Sequence, residues 1–157
     1  MKKKVLIITY YWPPFSSPGV QRWLKFVKYF DQFNIKPYVY TPDISNIHQV
    51  DESLTSDIPE SAIIIKRPIF LFDSLLKLFS SNYYNKYNRG LIPSKKNLTL
   101  IDKILLYVRG NFFIPDPKIF WTNRSLNFIK QYIDLNDIET IITTGPPHSM
   151  HLLGQKI

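Results

Sequence analysis

The sequence predicts an α/β fold: an open, parallel, Rossmann-like sheet with helices on both faces. Two observations predict it. Short apolar runs of strand length alternate along the chain with segments of helical periodicity, which favours parallel strands joined by right-handed helical crossovers. The first run, Lys4 to Tyr11, is almost continuously apolar, as in a central strand that is buried on both faces.

The first half of the chain supplies three of the four expected strands. After the run Lys4 to Tyr11, apolar residues recur at helical spacing from Val20 to Phe33, which predicts an amphipathic helix. Lys36 to Thr41 and Ala62 to Lys66 are read as the second and third strands, and the polar segment between them as a long loop.

The second half ends in another helix, strand and helix. Asn123 to Ile133 and Glu139 to Thr144 are the helix and the fourth strand, and a last helix follows Ser149 to the chain end without a terminal cap. Four strands are few for a doubly wound sheet. The chain, residues 1–157, is therefore expected to be a single domain that is truncated.

The middle of the chain predicts a basic, aromatic-rich helical insertion at about residues 70–112. Two helical patterns occur there, Phe72 to Phe79 and Leu98 to Val108, and the stretch Leu71 to Phe112 carries a clear excess of Lys and Arg. This composition suits docking on anionic lipid headgroups. The alternative is that the apolar residues of an ordinary helix pair fill the core.

Composition excludes several classes of site and location. The 157 residues include no Cys, which excludes a disulfide framework, a zinc–thiolate site and a Cys nucleophile. The apolar run after Lys2 to Lys4 is too short for a signal peptide and lacks a cleavage site, and no run is long enough to span a bilayer. A cytoplasmic location is expected. The net charge of +8 suggests nucleic-acid binding as an alternative. No nucleic-acid motif occurs, so no nucleic-acid partner is expected.

Ligands of open α/β sheets bind beyond the carboxyl ends of the strands, where the strand order reverses. If the first and fourth strands are neighbours, the loops Tyr10 to Val20 and Thr143 to Ser149 face each other across a crevice. A helix N-terminus with a glycine and a nearby arginine can attract phosphate, although that glycine can equally serve a turn and that arginine can simply be solvated. The candidate phosphate-binding residues are Gly19, Arg22 and Gly145, and the other candidate residues of the crevice are Tyr11, Trp12, Ser17 and Ser149.

His148 is the candidate catalytic residue. It stands at the start of the last helix, where it could donate to a ligand oxygen, and the alternative is a histidine that packs locally. His151 follows three residues later, but without a third ligand nearby no metal site is expected.

Asp43 keeps a dehydrogenase open as a weaker alternative. It follows the second strand about where a dinucleotide fold places the acid that holds a ribose. The loop before the first helix, however, lacks the G-x-G-x-x-G fingerprint.

Four stretches resemble bacterial glycosyltransferases of family 4, which have the GT-B fold. They are Lys4-Val-Leu-Ile-Ile-Thr-Tyr-Tyr-Trp-Pro-Pro14; Pro18-Gly-Val-Gln-Arg-Trp23 with Lys25-Phe-Val-Lys-Tyr29; Ile114-Pro-Asp-Pro117 with Trp121; and Thr143-Thr-Gly-Pro-Pro-His-Ser149. The resemblance spans nearly the whole chain and implies the N-terminal half of a two-domain enzyme that moves a sugar from a nucleotide-sugar donor to a glycan or lipid-linked acceptor.

The same resemblance implies how such an enzyme works. The N-terminal domain receives the acceptor, a C-terminal domain holds most of the donor, and catalysis occurs between them with retention of configuration and without a metal or other cofactor. Gly19 would approach the donor phosphates and His148 would lie by the transferred sugar. Envelope polysaccharide synthesis at the inner face of the membrane would be the setting. Since the second domain is missing, the chain alone is expected to be inactive. The alternative is a non-catalytic nucleotide- or phosphate-binding module or scaffold.

Overall fold

The computed structural model describes residues 2–44, 50–69 and 100–157, and these form a four-stranded, all-parallel sheet with helices. The strands are β1 Lys3–Ile8, β2 Ile35–Asp43, β3 Ile63–Pro68 and β4 Thr140–Thr143, and the helices are α1 Pro18–Tyr29, α2 Leu100–Phe112, α3 Ile119–Asn136 and α4 Ser149–Lys156. Short 3₁₀ helices occupy Phe30–Phe33 and Glu52–Asp57. The predicted helix Phe72 to Phe79 lies outside the described residues.

The strand order is β3-β2-β1-β4, so the order reverses at β1. On one side β1 pairs with β2 in the register Val5 to Pro37, and on the other it pairs with β4 in the register Val5 to Thr140. The first and fourth strands are therefore neighbours, as the crevice hypothesis requires. The predicted open, parallel α/β fold of the Rossmann-like class is confirmed.

Alternate residues of β1 point into two separate cores because successive side chains of a strand face opposite sides of the sheet. Val5 and Ile7 pack with α1, whereas Leu6 and Ile8 pack with α3 and α4. All four side chains are buried. Helices thus cover both faces, which explains why the β1 sequence is continuously apolar.

Helix α1 begins two residues before the predicted start, at Pro18, because Ser17 caps it. The Val20 N–H donates to Ser17 Oγ at 3.3 Å, and Pro occupies the first helical position, where no N–H is needed. The α-helix ends at Tyr29, and the 3₁₀ helix that follows ends in Asn34 at φ 56°. The predicted helical segment is therefore one α-helix plus a 3₁₀ turn.

Helix α3 runs from Ile119 to Asn136, longer at both ends than predicted, and α4 lies close against β4. The closest approach involves Gly154, since a Cβ there would overlap the side chain of Thr143. On the sheet side of α3 the Tyr40 hydroxyl donates to Ser125 Oγ at 2.7 Å, and the Tyr40 ring stacks on Trp121. These contacts fix both helices on one face of the sheet.

Of the helices in the described ranges, none combines the length and the apolar character needed to cross a membrane. The part of the predicted insertion that the structure describes is α2, which extends four residues beyond the expected end at Val108.

Candidate functional site

A cavity of about 240 Å³ lies at the carboxyl edge of the sheet, between the ends of β1 and β4. It is bounded on one side by the end of β1 and the start of α1, and on the other by the segment after β4. Its walls include Thr9, Tyr11, Ser17, Gly19, Arg22, Trp23, Thr144, Gly145 and Pro146. Five of the residues singled out in the sequence meet there: Tyr11, Ser17, Gly19, Arg22 and Gly145.

The N-terminus of α1 presents one open backbone donor to this cavity. The Val20 N–H is taken by Ser17 Oγ, and the Gln21 N–H donates to the Ser17 carbonyl at 3.1 Å. Pro18 has no N–H. The Gly19 N–H has no hydrogen-bond partner among the described residues. An anion at this point would gain that donor and the positive end of the helix dipole.

Packing alone does not require a glycine at position 19. A Cβ built on Gly19 would meet no atom nearer than Ser17 Oγ at 3.9 Å, and the backbone is not in the left-handed region. This argues against a purely steric role at a turn. Arg22 is exposed beside it and forms no ion pair with a described residue. None of the described lining residues is acidic, so the cavity has a positive character.

Tyr11 brings a neutral hydroxyl to the cavity wall. Burial raises the pKa of its phenol above the ordinary value; the nearby Lys118 ammonium opposes this effect and the Asp116 carboxylate adds to it. Its ring packs against Phe15 with centroids 4.6 Å apart. At neutral pH the Tyr11 hydroxyl is therefore protonated and can donate to a ligand oxygen.

Two buried threonines tie the walls of the cavity together. Thr144 Oγ donates to Thr9 Oγ at 3.0 Å, and the Thr9 hydroxyl donates to the Tyr11 carbonyl at 3.0 Å. The Thr144 N–H also donates to the Ile8 carbonyl at 3.0 Å. This chain of hydrogen bonds fixes the ends of β1 and β4 relative to each other. Sequence reasoning did not single out either threonine.

The two histidines lie beside the Gly145 wall. His148 is exposed at the N-cap of α4, 5.9 Å from the His151 ring between centroids. His151 Nδ1 is 2.8 Å from Thr143 Oγ. A Cβ on Gly145 would come within 2.6 Å of His151 Nε2, so glycine lets the histidine ring lie against the loop. A His148 ring packed in the core could not contact a ligand. Because the ring is exposed, His148 stays a candidate catalytic residue.

Trp12 and Ser149 are not brought into the larger cavity. The Trp12 side chain is buried against Val20, Leu24 and Leu54, because the chain turns its ring under α1. The Ser149 side chain is fully buried and donates to Asp116. Both placements depend on contacts with segments distant in sequence, α1 and Leu54 for Trp12 and Asp116 for Ser149.

Asp116 is a further residue whose role the sequence did not reveal. Its Oδ1 accepts from the Ser149 hydroxyl at 2.8 Å and from the Lys118 N–H at 2.9 Å, and its Oδ2 accepts from the Ser149 N–H at 2.8 Å. Asp116 therefore occupies donors at the N-terminus of α4 that a ligand would otherwise use. The Pro-Asp-Pro sequence was a visible signal of a turn, but the partner 33 residues away was not.

Asp43, the acid of the dehydrogenase alternative, lines a different and smaller cavity. That cavity, about 50 Å³ in volume, lies at the ends of β1, β2 and β3 and is also lined by Tyr11, Trp12 and Lys66.

Within the ranges that the structure describes, no group of three or more metal-ligating side chains comes together. Comparison with protein-family models, with curated proteins and with solved structures finds no match to this chain.

Proposed function

We propose that this chain is the acceptor-side, N-terminal domain of a glycosyltransferase that uses a nucleotide-sugar donor. The observation that supports it most is the positively charged cavity at the point where the strand order reverses. There an open Gly19 N–H and the Arg22 guanidinium stand opposite the loop that carries Gly145. The sequence resemblance to family 4 glycosyltransferases supplies the reaction class.

In this proposal each side chain has a stated task. The Gly19 N–H and Arg22 stabilise negative charge on the diphosphate of the donor, including the charge that develops as it leaves. His148, exposed beside Gly145, hydrogen-bonds the transferred sugar. Tyr11 and Ser17 contribute hydroxyls to the acceptor side. The reaction is proposed to retain configuration and to need no metal.

The cavity forms one wall of an active site, and a second domain supplies the other. The carboxylate that holds the donor ribose would belong to that second domain, so transfer needs both. The chain alone is therefore expected to show no sugar transfer and to bind the donor only in the millimolar range, about −4 kcal/mol. Rapid turnover by the isolated chain would contradict this division of labour.

The Gly19→Ala variant tests the proposed contact between the Gly19 backbone and the donor phosphates. Because the added methyl meets nothing closer than 3.9 Å, the fold tolerates it, but the methyl stands where a phosphate would approach the backbone. UDP-glucose and GDP-mannose serve as probes in a ¹⁵N NMR titration. We expect at least one of them to shift the Gly19, Arg22 and Gly145 amides, and Gly19→Ala to weaken that binding about tenfold.

The controls separate the proposal from its alternatives. Gly110→Ala adds the same methyl to an exposed helix far from the cavity in sequence and should leave binding unchanged. Shifts with inorganic pyrophosphate as large as those with either nucleotide sugar would favour a phosphate-binding module without sugar transfer. No shift at Gly19 with any probe would count against both.

A further inference from the structure

A run of exposed apolar side chains occupies α2 and the segment that leads into α3. We call it the docking face: Leu100, Ile104, Tyr107, Phe112, Ile114 and Phe120. Three of them, Leu100, Ile104 and Tyr107, recur at spacings of four and three residues, which puts them on one stripe of the helix. They are 74%, 55% and 67% exposed. This stripe therefore does not fill the core, the alternative that the sequence left open for its helical patterns.

One residue of the docking face, Ile114, lies close in sequence to the carboxyl edge of the sheet. Ile114 stands two residues before Asp116, which is bonded to Ser149 just beyond β4. Phe120 meets the buried Phe113 ring edge-on, with centroids 5.5 Å apart. These two contacts tie the segment between α2 and α3 to the rest of the fold.

Exposed positive charge accompanies the docking face. Lys103 projects from α2 and Arg124 lies one turn after Phe120; both are exposed, and neither forms an ion pair with a described residue. Asp116, the acidic residue between them whose side chain is described, already accepts three hydrogen bonds. An apolar stripe beside exposed cations is complementary to a surface that is both apolar and negative.

We propose that the docking face binds an anionic lipid bilayer. The apolar and aromatic side chains enter the boundary between headgroups and acyl chains, while Lys103 and Arg124 contact the headgroup phosphates. A second copy of this chain would instead bring like charges together, on a protein whose net charge is +8. The inference stands on exposure and charge and does not depend on the proposed sugar transfer.

Vesicle flotation tests the proposal. We expect the chain to float with phosphatidylserine-containing vesicles and not with vesicles of phosphatidylcholine alone, and the bound fraction to fall as salt is raised. The double variant Ile104→Glu/Tyr107→Glu should lower the partition coefficient at least about tenfold, since it puts charge on two side chains that would enter the boundary between headgroups and acyl chains. Lys103→Glu/Arg124→Glu should lower it by a similar factor, because each cation near the surface contributes about 1 kcal/mol.

Leu135→Glu is the matched control. Leu135 is 83% exposed, but it lies 15 residues along α3 from Phe120, about 22 Å away. Its replacement should leave flotation unchanged. The absence of Cys from the chain permits a second readout: an environment-sensitive dye on Tyr107→Cys should shift to the blue with phosphatidylserine vesicles, and the same dye on Leu135→Cys should not.

Three results would overturn the proposal. The first is equal flotation of the wild-type chain and Ile104→Glu/Tyr107→Glu. The second is a concentration-dependent dimer, seen by sedimentation velocity, that forms without lipid binding and is abolished by that double variant. The third is a dye on Tyr107→Cys that already reports an apolar environment without vesicles, which would mean that another part of the chain covers the stripe.

Discussion

The Asp116 carboxylate holds the first turn of α4 through Ser149, using both of its oxygens. Oδ2 accepts from the Ser149 N–H and Oδ1 from the Ser149 hydroxyl, each at 2.8 Å. The bond joins two of the four stretches that carry the family resemblance, Ile114 to Pro117 and Thr143 to Ser149. It also fixes the loop that contains Gly145, a wall of the cavity.

Removal of the Asp116 carboxylate should destabilise the fold. Asp116→Ala leaves the buried Ser149 N–H and hydroxyl without this acceptor, and a hydrogen bond to a charged group contributes about 1.5–3 kcal/mol. We expect a loss of about 2 kcal/mol in the free energy of unfolding by urea. The double-mutant cycle with Ser149→Ala should show a coupling of about 1 kcal/mol or more. Asp134→Ala, an exposed aspartate on α3, is the control, and equal losses for Asp116→Ala and Asp134→Ala would disprove this role.

Two glycine-to-alanine changes in helices should have opposite effects on the stability of the fold. In α2, a Cβ on Gly110 meets nothing within 4 Å, so Gly110→Ala should stabilise the protein by about 0.5–1 kcal/mol. In α4, the Cβ of Gly154→Ala would overlap the Thr143 side chain, which is β-branched and held by its contact with His151. We expect a destabilisation of about 1–3 kcal/mol. Thermal unfolding of the two variants measures both effects, and a stabilising Gly154→Ala would show that α4 is not packed against β4 as described.

Gly145→Ala should act through His151. The added methyl displaces the ring from its position 2.6 Å from the new Cβ and breaks the contact with Thr143, at a cost of about 0.5–1.5 kcal/mol. The double variant Gly145→Ala/His151→Ala should then be no less stable than His151→Ala alone. Urea denaturation of the three variants measures this. A further loss in the double variant would mean that Gly145 is needed for the backbone itself.

Asp57 should contribute to stability in a narrow acidic range. Hydrogen bonds from Lys25 and then Lys28 lower the pKa of its carboxyl from 3.8 to about 2. Because the folded-state pKa is the lower one, the contribution is fully present above pH 3.8 and is lost as the pH falls through about 2. We expect a carboxyl-carbon NMR titration to give a pKa near 2.

The Asp57→Asn variant provides the matching stability measurement. Between about pH 4 and pH 2 its melting temperature should fall less steeply than that of the wild-type chain, since it has no carboxylate to protonate. Parallel pH profiles for the two proteins would show that the contacts with Lys25 and Lys28 contribute nothing. Asp43→Asn, an exposed aspartate without a described ion pair, is the control.

Much of the fold could be predicted because the signals are local. The apolar run of β1 and the helical spacing of Val20, Leu24 and Val27 each reflect the repeat of a single element. The observed ends of helices differ from the predicted ones where a capping residue sets them, as at the start of α1, where Ser17 caps and Pro18 begins the helix. For the strand order the sequence supported only a conditional statement, that two loops face each other if the first and fourth strands are neighbours; the structure gives the full order β3-β2-β1-β4.

The candidate site was predictable in position and only partly in its residues. Gly19, Arg22 and Gly145 reach the cavity because they follow directly from strand ends and a helix start. Trp12 does not reach it, because its ring is taken up by the core under α1. No local pattern distinguishes a tryptophan that faces a crevice from one that turns beneath a helix.

The sequence by itself determined the α/β class and the order of the main described strands and helices along the chain. Periodicity within one element is enough for these. The tertiary structure decided that Ser149 donates hydrogen bonds to Asp116 and that Thr9 and Thr144 join the cavity walls. It also decided that Leu100, Ile104 and Tyr107 are exposed. Each of these outcomes depends on contacts between segments far apart in sequence, or on their absence among the described residues, and such contacts exist only once the sheet has assembled.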